Sequence, residues 1–389
     1  MDLSFSEEDE QFRLKVRTFL RENLPNELAE AQRSGFHLDR HTEHAWLRIL
    51  YDKGWAAPDW PKEYGGTGWD ATRQYIFFDE IGAADAPYVM AFGRALSGPL
   101  IYTFGNDEQK AKYLEPILRG DTFWCEGFSE PDSGSDLASI KTRAERDGAY
   151  YVVNGQKIWT TNAHSADMIF CLLRTSKMEK PQRGLSFLLI DLRLPGVNIR
   201  PIVSIDGEHH LNEVFLENVR VPVSERVGEE GAGWEQTKFL LRHSRTSSAM
   251  VEVVKQEMRQ LIHLTDGSFA GSAPAMRRRL TRLRIDVEAL EWMILRVLVT
   301  DELQMIDSAV IKMLGMRILQ EITELKIDLL GVHAIPKFGN SDDRKRLASR
   351  APSYAAGAMV RHLYRRALTI AGGTTEIQRT IIARQRFGL

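Results

Sequence analysis

The sequence predicts an α+β protein built in three segments: a helical one over 1–120, a β-rich one over 121–228, and a second helical one over 229–389. Two observations are changes of hydrophobic period. The first 120 residues repeat apolar positions at helical spacing, the next hundred or so break into short β-prone runs punctuated by turn residues, and the helical period then returns. The third observation is the stretch Leu303 to Leu330, apolar nearly all round, which requires burial on most sides, as in a helical bundle or an oligomer interface.

Taken in order, Ser6 followed by Glu7, Glu8 and Asp9 gives a capped, acidic first turn, and Phe12, Val16, Phe19 and Leu20 share one face of a helix over 6–24. A second helix over 41–53 stops at Gly54. The following WAAPDWPKEYGGTGW reads as a packed irregular loop without chemistry. Helices are expected at 70–83 and 88–104. Asn106 with Gln109 three residues on has capping-box spacing, and that helix ends at Gly120.

Trp124 to Asp136, WCEGFSEPDSGSD, is read as a loop because its Ser, Pro, Asp and Gly residues favour turns and leave backbone N–H groups free. A basic connector follows. Tyr150 to Val153 and Gln156 to Thr161 are then expected to form a hairpin across Asn154-Gly155, a pair suited to a type I′ turn. Met168 to Leu173, Leu185 to Ile190, Val197 to Val203, Val214 to Leu216 and Val219 to Val221 complete a sandwich or barrel. Beyond Gly233, a long helix runs from Trp234 to about Thr265, Ser341 to Ser353 is a basic surface turn, and Gly372-Gly373 separate the last helices. The polar loop beside a strand carrying Trp159, Thr160 and Thr161 suits an anion next to a flat aromatic ligand, or else is an ordinary hairpin with a polar entry.

In a chain of 389 residues with net charge −2, 27% charged and 43% hydrophobic residues, nothing attracts nucleic acid or an anionic membrane globally. Two cysteines give no disulfide framework and no metal spacing. The opening MDLSFSEEDE has no apolar core of a secretory signal and no run of eighteen apolar residues occurs, so a cytoplasmic protein without a membrane span is expected. His209-His210 lack further ligands and are read as a solvated loop, and Arg277, Arg278 and Arg279 as a solvated helix face. No metal site is expected. No GxGxxG joins a strand to a helix, which argues against a Rossmann nucleotide site.

Three separated motifs then resemble the acyl-CoA dehydrogenase family. FSEPDSGSD at 128–136 is similar to its T-E-P-x-A-G-S-D loop, NGQKIWTTN at 154–162 to its N-G-x-K-x-W-I-T-N strand, and GGTTEIQRTIIAR at 372–384 to its E-G-T-x-x-I-Q-R-x-I-x-A-R. NEVFLENVRVP and LLRHSRT look most like the bacterial enzymes with paired large and small subunits. The resemblance implies that family's fold: an N-terminal helical domain, a central β domain and a C-terminal four-helix bundle. It implies FAD, with Phe128, Ser129, Gly134, Ser135, Trp159, Thr160, Thr161, Asp328, Gly331, Gly373, Thr374 and Glu376 at matching flavin positions, and Ser135, Asn212 and Arg245 toward the acyl-CoA. An electron-transfer flavoprotein as electron acceptor and a tetramer, of one chain or two, are implied as well. Two motifs depart: R-x-x-F-G has no clear match near 266–280, and Q-x-L-G-G is altered to Asp328-Leu-Leu-Gly331-Val332.

The family's reaction removes the α-proton of a thioester while the β-hydrogen leaves as hydride, so it needs a carboxylate base and an oxyanion hole. The two places where the family keeps its Glu hold Ser244 and Gly372 here. Neither side chain accepts a proton at neutral pH, although the Gly372 N–H still serves as an oxyanion donor. Three readings follow: an FAD-dependent acyl-CoA dehydrogenase active as a homotetramer or together with a Glu-bearing paired subunit, a non-catalytic FAD- or CoA-binding subunit, or another flavin oxidation or hydroxylation on the same fold.

Overall fold

A computed structural model describes residues 4–35, 38–87, 92–243, 251–266, 274–300, 305–335, 355 and 357–388. In chain order the helices and strands are α1 (Glu7–Asn23), α2 (Asn26–Ser34), α3 (Arg40–Asp52), α4 (Ala71–Ala83), α5 (Gly98–Phe104) and α6 (Asp107–Arg119), then β1 (Trp124–Gly127), β2 (Arg143–Asp147), β3 (Tyr150–Thr161), β4 (Met168–Arg174), β5 (Leu185–Asp191), β6 (Val197–Val203), β7 (His209–Pro222) and β8 (Arg226–Val227). The chain continues with α7 (Gly233–His243), α8 (Val251–Asp266), α9 (Pro274–Thr300), α10 (Met305–Leu330), α11 (Ala358–Arg365) and α12 (Thr375–Phe387). The chain forms two compact units, one of residues 1–42, 69–88 and 245–389, the other of 43–68 and 89–244.

Local chemistry sets the helix ends. Ser6 and Asp9 form a reciprocal capping box on α1, and Asn106 and Gln109 form another on α6, which Gly120 ends in the left-handed conformation. The helix expected over 88–104 is realised as a π-helical turn at Gly93–Ser97 leading into α5; residues 88–91 lie outside the described residues. α2, not anticipated, follows Pro25 and ends at left-handed Gly35.

In the second unit the strands follow the order β6-β7-β3-β2-β4-β5-β8, with β1 pairing parallel to β4. β2 and β4 meet at a single pair, Arg143 opposite Arg174, so the sheet is two halves joined at one point. Tyr151, Val153, Val214 and Val221 from one half and Cys125, Ile169, Cys171 and Ile190 from the other fill one core, the packing of a sandwich. β4 and β5 are buried along nearly their whole length and therefore read as continuous apolar runs.

Three strand expectations change. Asn154-Gly155 does not turn the chain: β3 continues through it, with a register shift against β7 between Val153 and Gly155. Gly155 sits at φ 149° with Thr142 Oγ1 2.5 Å from where a Cβ would be, and Asn154 Oδ1 accepts from the N–H of Asn218 at 2.9 Å, so the pair builds a bulge. The hairpin is one connection earlier, between β2 and β3, where Gly148 takes φ 59°. Cys125 to Gly127 and Arg143 to Asp147, read as loop and connector, are strands, and the runs around Val214 and Val219 are one strand, β7.

In the first unit α10 packs against α8, α9, α11 and α12. Ile318, Leu319, Ile322 and Leu325 are fully buried on it, as its all-round apolar character requires. α4 packs against α1 and α8, adding Tyr75 and Ile76 to the same core.

Candidate active site

The loop after β1 is fastened to β3 by a buried ion pair. Lys157, 0% exposed, donates from Nζ to Glu130 Oε1 at 2.8 Å and to the Phe128 carbonyl at 3.0 Å. The Glu130 carboxylate also accepts from the N–H groups of Lys141 at 2.6 Å and Thr142 at 2.9 Å. Burial alone would raise this carboxyl; the charge of Lys157 and the bonds from Lys157, Thr142 and Lys141 outweigh it and hold Glu130 below the ordinary carboxylate range. Reciprocal backbone bonds between Glu130 and Ser133 close the turn, and the Ser129 carbonyl accepts from the Ile158 N–H at 3.0 Å. The loop is thereby held at its base while Gly134, Ser135 and Asp136 stay exposed at its tip. Phe128 is buried at the loop's root against Phe170 and Phe187.

Directly along β3 the backbone is strained. Trp159 has φ 61° at a second register shift of the strand, and its indole is 56% exposed. A left-handed conformation at a bulky residue costs about 1–3 kcal/mol. The next residue, Thr160, is 2% exposed, and its Oγ1 has no hydrogen-bond partner among the described residues. An outward-facing ring beside an orphaned hydroxyl is the surface expected of a wall built for a ligand.

Asn212 lies behind this wall and is fully buried. Its Nδ2 donates to the Thr160 carbonyl at 2.9 Å, and its Oδ1 meets His209 Nε2 at 2.8 Å and His164 Nδ1 at 3.3 Å. The structure thus shows Asn212 positioning Thr160. His209 and His210 are not a solvated loop: they open β7, His209 stacks on His164 with centroids 4.0 Å apart, and His210 is buried near Asp206. Burial pushes the imidazoles of His164 and His210 below their ordinary value. Among the described residues no His, Cys, Asp and Glu group of three could hold a metal.

In the first unit, Gly372 and Gly373 adopt φ 65° and 97° immediately before α12. Thr374 caps that helix through the Ile377 N–H, and Glu376 is exposed in its first turn. The ammonium of Lys312, on α10, donates to the carbonyls of Ala371 at 2.7 Å, Gly372 at 2.7 Å and Gly373 at 2.5 Å. Burial pushes Lys312 down to about 8. Arg277, Arg278 and Arg279 are all exposed on α9, the solvated face expected, with Arg279 pairing at 2.6 Å with Asp328, which is itself half-exposed. Asp328 stands sixteen residues beyond Lys312 on α10, roughly 24 Å along the axis, and Gly331 follows it at φ 51°. Ser244 and Arg245 lie outside the described residues.

The structure therefore gathers Phe128, Ser129, Gly134, Ser135, Trp159, Thr160 and Thr161 on the clamped loop and β3, and Gly372, Gly373, Thr374 and Glu376 on one short segment. Lys157, Lys312 and Glu126 were not anticipated. Lys157 had a signal, a lone cation in the apolar half of GQKIW; Lys312, in a helix read only for its apolar face, had none. Glu126, half-buried on β1 opposite Phe170, is pushed up by burial to about 7. Its folded value lies above the unfolded one near 4.5, so it lowers stability as pH rises between the two, and the full cost is present above about 7. Glu126→Gln is expected to leave the urea midpoint unchanged near pH 4 and to stabilise the protein by about 1–3 kcal/mol at pH 8.

Three family models match the chain: acyl-CoA dehydrogenase N-terminal domain over residues 6–121, middle domain over 125–219 and C-terminal domain over 231–387. It is 36% identical to the acyl-CoA dehydrogenase IpdE1 of Mycobacterium tuberculosis, covering 98% of this chain and 97% of that protein. Among solved structures, the Tcur3481-Tcur3483 steroid ACAD superposes with a TM-score of 0.86 at 28% identity, over 100% of this chain and 99% of that one. A chain of the ChsE4-ChsE5 complex from Mycobacterium tuberculosis superposes with a TM-score of 0.84 at 30% identity, over 100% and 99%. No helix among the described residues is long and apolar enough to cross a membrane. With all three domain models in order, the chain belongs to the acyl-CoA dehydrogenase family of flavoprotein oxidoreductases.

Proposed function

We propose that the chain binds FAD and takes part in the α,β-dehydrogenation of an acyl-CoA thioester as one member of a heteromer. The observation that carries the reading is the strained, exposed Trp159 beside the orphaned Thr160 hydroxyl, held by the Glu130–Lys157 clamp. These residues fit a flavin: an indole face suits the ring system, and the unpartnered hydroxyl suits a polar ring edge. Phe128, Ser129, Gly134, Ser135 and Thr161 would hold the cofactor with them, and the resemblance puts Asp328, Gly331, Gly373, Thr374 and Glu376 of the first unit at flavin positions as well. FAD supplies a hydride acceptor.

The chain's own residues do the rest of the binding. The Gly372 N–H donates to the thioester carbonyl and stabilises the charge that forms there on loss of the α-proton. Ser135 and Arg245 contribute to binding the acyl-CoA. Ser244 and Gly372 offer no carboxylate, so the proton is taken by a group from elsewhere, and a Glu of a paired chain is the leading source. The heteromeric names of the ChsE4-ChsE5 and Tcur3481-Tcur3483 structures support pairing, and the latter's being a steroid ACAD supports a steroid-derived acyl group. Electrons then pass to an electron-transfer flavoprotein. The division into segments 1–120, 121–228 and 229–389 belongs to the same reading.

A second reading keeps the base in this chain. Glu126 stands on β1 two residues before Phe128, at the root of the clamped loop, and burial raises its carboxyl to about 7, the proton affinity a general base needs near neutral pH. The test is to purify the chain alone and co-expressed with its candidate partner chain, extract the cofactor, and measure acyl-CoA turnover. The leading reading expects FAD in the preparation and turnover only for the pair. Colourless protein from both preparations contradicts it; brisk turnover by the single chain, abolished in Glu126→Gln, replaces it with the second.

A further inference from the structure

The Gly372 segment owes its direction to a residue on another helix. Lys312 is 8% exposed, and its three ammonium protons match three carbonyls, those of Ala371, Gly372 and Gly373. Three successive carbonyls converge on one point only because Gly372 and Gly373 both take positive φ. In a trans peptide the C=O and the following N–H point in opposite directions. Drawing the carbonyls of 371, 372 and 373 inward therefore turns the N–H groups of Gly372, Gly373 and Thr374 away from α10. Among the described residues none of these three amides donates to a backbone carbonyl. Successive amides presented together, backed by a buried cation, form a concavity that favours negative charge.

We propose that Lys312 is the positioning residue of the site: by gathering the three carbonyls it holds the N–H groups of Gly372, Gly373 and Thr374 as a donor array for the oxygen of an acyl-CoA enolate. This rests on the acyl-CoA reading above and adds to it the residue that orients the oxyanion donors. Lys312 touches no substrate. It acts through backbone geometry, and its charge strengthens donors whose peptide dipoles it aligns. Without it, three carbonyls lose their shared partner and the segment is free to turn its amides elsewhere.

The probe is acetoacetyl-CoA, whose enolate shares its charge between the ketone and thioester oxygens, with an S-alkyl-CoA thioether of equal chain length as a control that lacks the carbonyl. Enolate absorbance is followed against pH with the flavin-loaded protein. The wild type is expected to lower the ionisation pKa of bound acetoacetyl-CoA. Lys312→Met is expected to lose about one unit or more of that shift, a roughly tenfold or larger loss in enolate affinity. Thioether affinity should stay within about twofold of wild type, because only the oxyanion is affected. Lys312→Gln, which keeps two donors without the charge, is expected to recover part of the shift, and it serves as the reporter where the Met variant does not fold. A folded Lys312→Met that ionises the probe as the wild type does overturns the inference and leaves the acyl-CoA reading standing. Equal losses for probe and control, or failure of both variants to fold, reduce Lys312 to a structural role and also overturn it. Wild-type protein that binds neither ligand removes the acyl-CoA reading itself.

Discussion

Lys157→Met is expected to lower the unfolding free energy by about 3–5 kcal/mol, because it leaves the Glu130 carboxylate buried without its counter-charge. Lys157 is fully buried and Glu130 is 7% exposed, so water cannot replace the lost partner. The Phe128 carbonyl loses its donor in the same step. Urea unfolding of the variant measures the cost. Lys157→Met combined with Glu130→Gln should recover part of it, since the change removes the uncompensated charge while the single amide oxygen keeps one of the two bonds from the Lys141 and Thr142 N–H groups. A midpoint within experimental scatter of wild type would show that the pair does not hold the loop. The functional consequence follows from position: the clamp fixes the loop that carries Ser129, Gly134 and Ser135, so cofactor retention should fall with it.

Glu257→Gln is expected to cost a similar amount, about 3–5 kcal/mol, for the opposite reason. Glu257 is fully buried on α8 and is the carboxylate on which Lys326, Arg361 and Arg365 converge; Lys326 bonds to it directly and Arg361 donates at 2.7 Å. Its removal leaves buried cations without their anion. Burial by itself would raise this carboxyl, but the charges of Arg361, Lys326 and Arg365 hold it well below the usual range. A carboxyl lowered on folding contributes stability in full above its unfolded value near 4.5, and that contribution is lost as pH falls below it. The acid limb of the stability curve should therefore be flatter in Glu257→Gln than in wild type. An equally steep limb assigns acid sensitivity to other carboxylates.

Much of the fold was legible because its signals are local. Asn106 with Gln109, Gly120, and the apolar turns of 303–330 each dictate an element within a few residues, and the structure realises them. The Asn154-Gly155 turn was misplaced because a favoured hairpin pair is also a good bulge pair. Which one forms depends on β7, whose Asn218 bonds to Asn154 across a sequence separation no local pattern reveals. β1 and β2 were missed for a related reason: Cys125 to Gly127 is short and flanked by turn residues, and exposed Arg143 to Asp147 carries charge on its outer positions. At the proposed site, the motifs named Trp159, Thr160 and the segment at Gly372. The partners that orient them, Lys157, Asn212 and Lys312, are brought in by tertiary packing.

We propose that this chain carries the flavin wall and the oxyanion donors, with Ser244 and Gly372 standing where the family keeps its carboxylate. Anaerobic titration of the purified, flavin-loaded single chain with a series of acyl-CoAs, in parallel for wild type and Ser244→Glu, tests it most directly. The prediction is slow or absent bleaching of the flavin band in wild type and bleaching in Ser244→Glu with at least one acyl-CoA. Rapid, complete bleaching of the wild-type chain alone would contradict it.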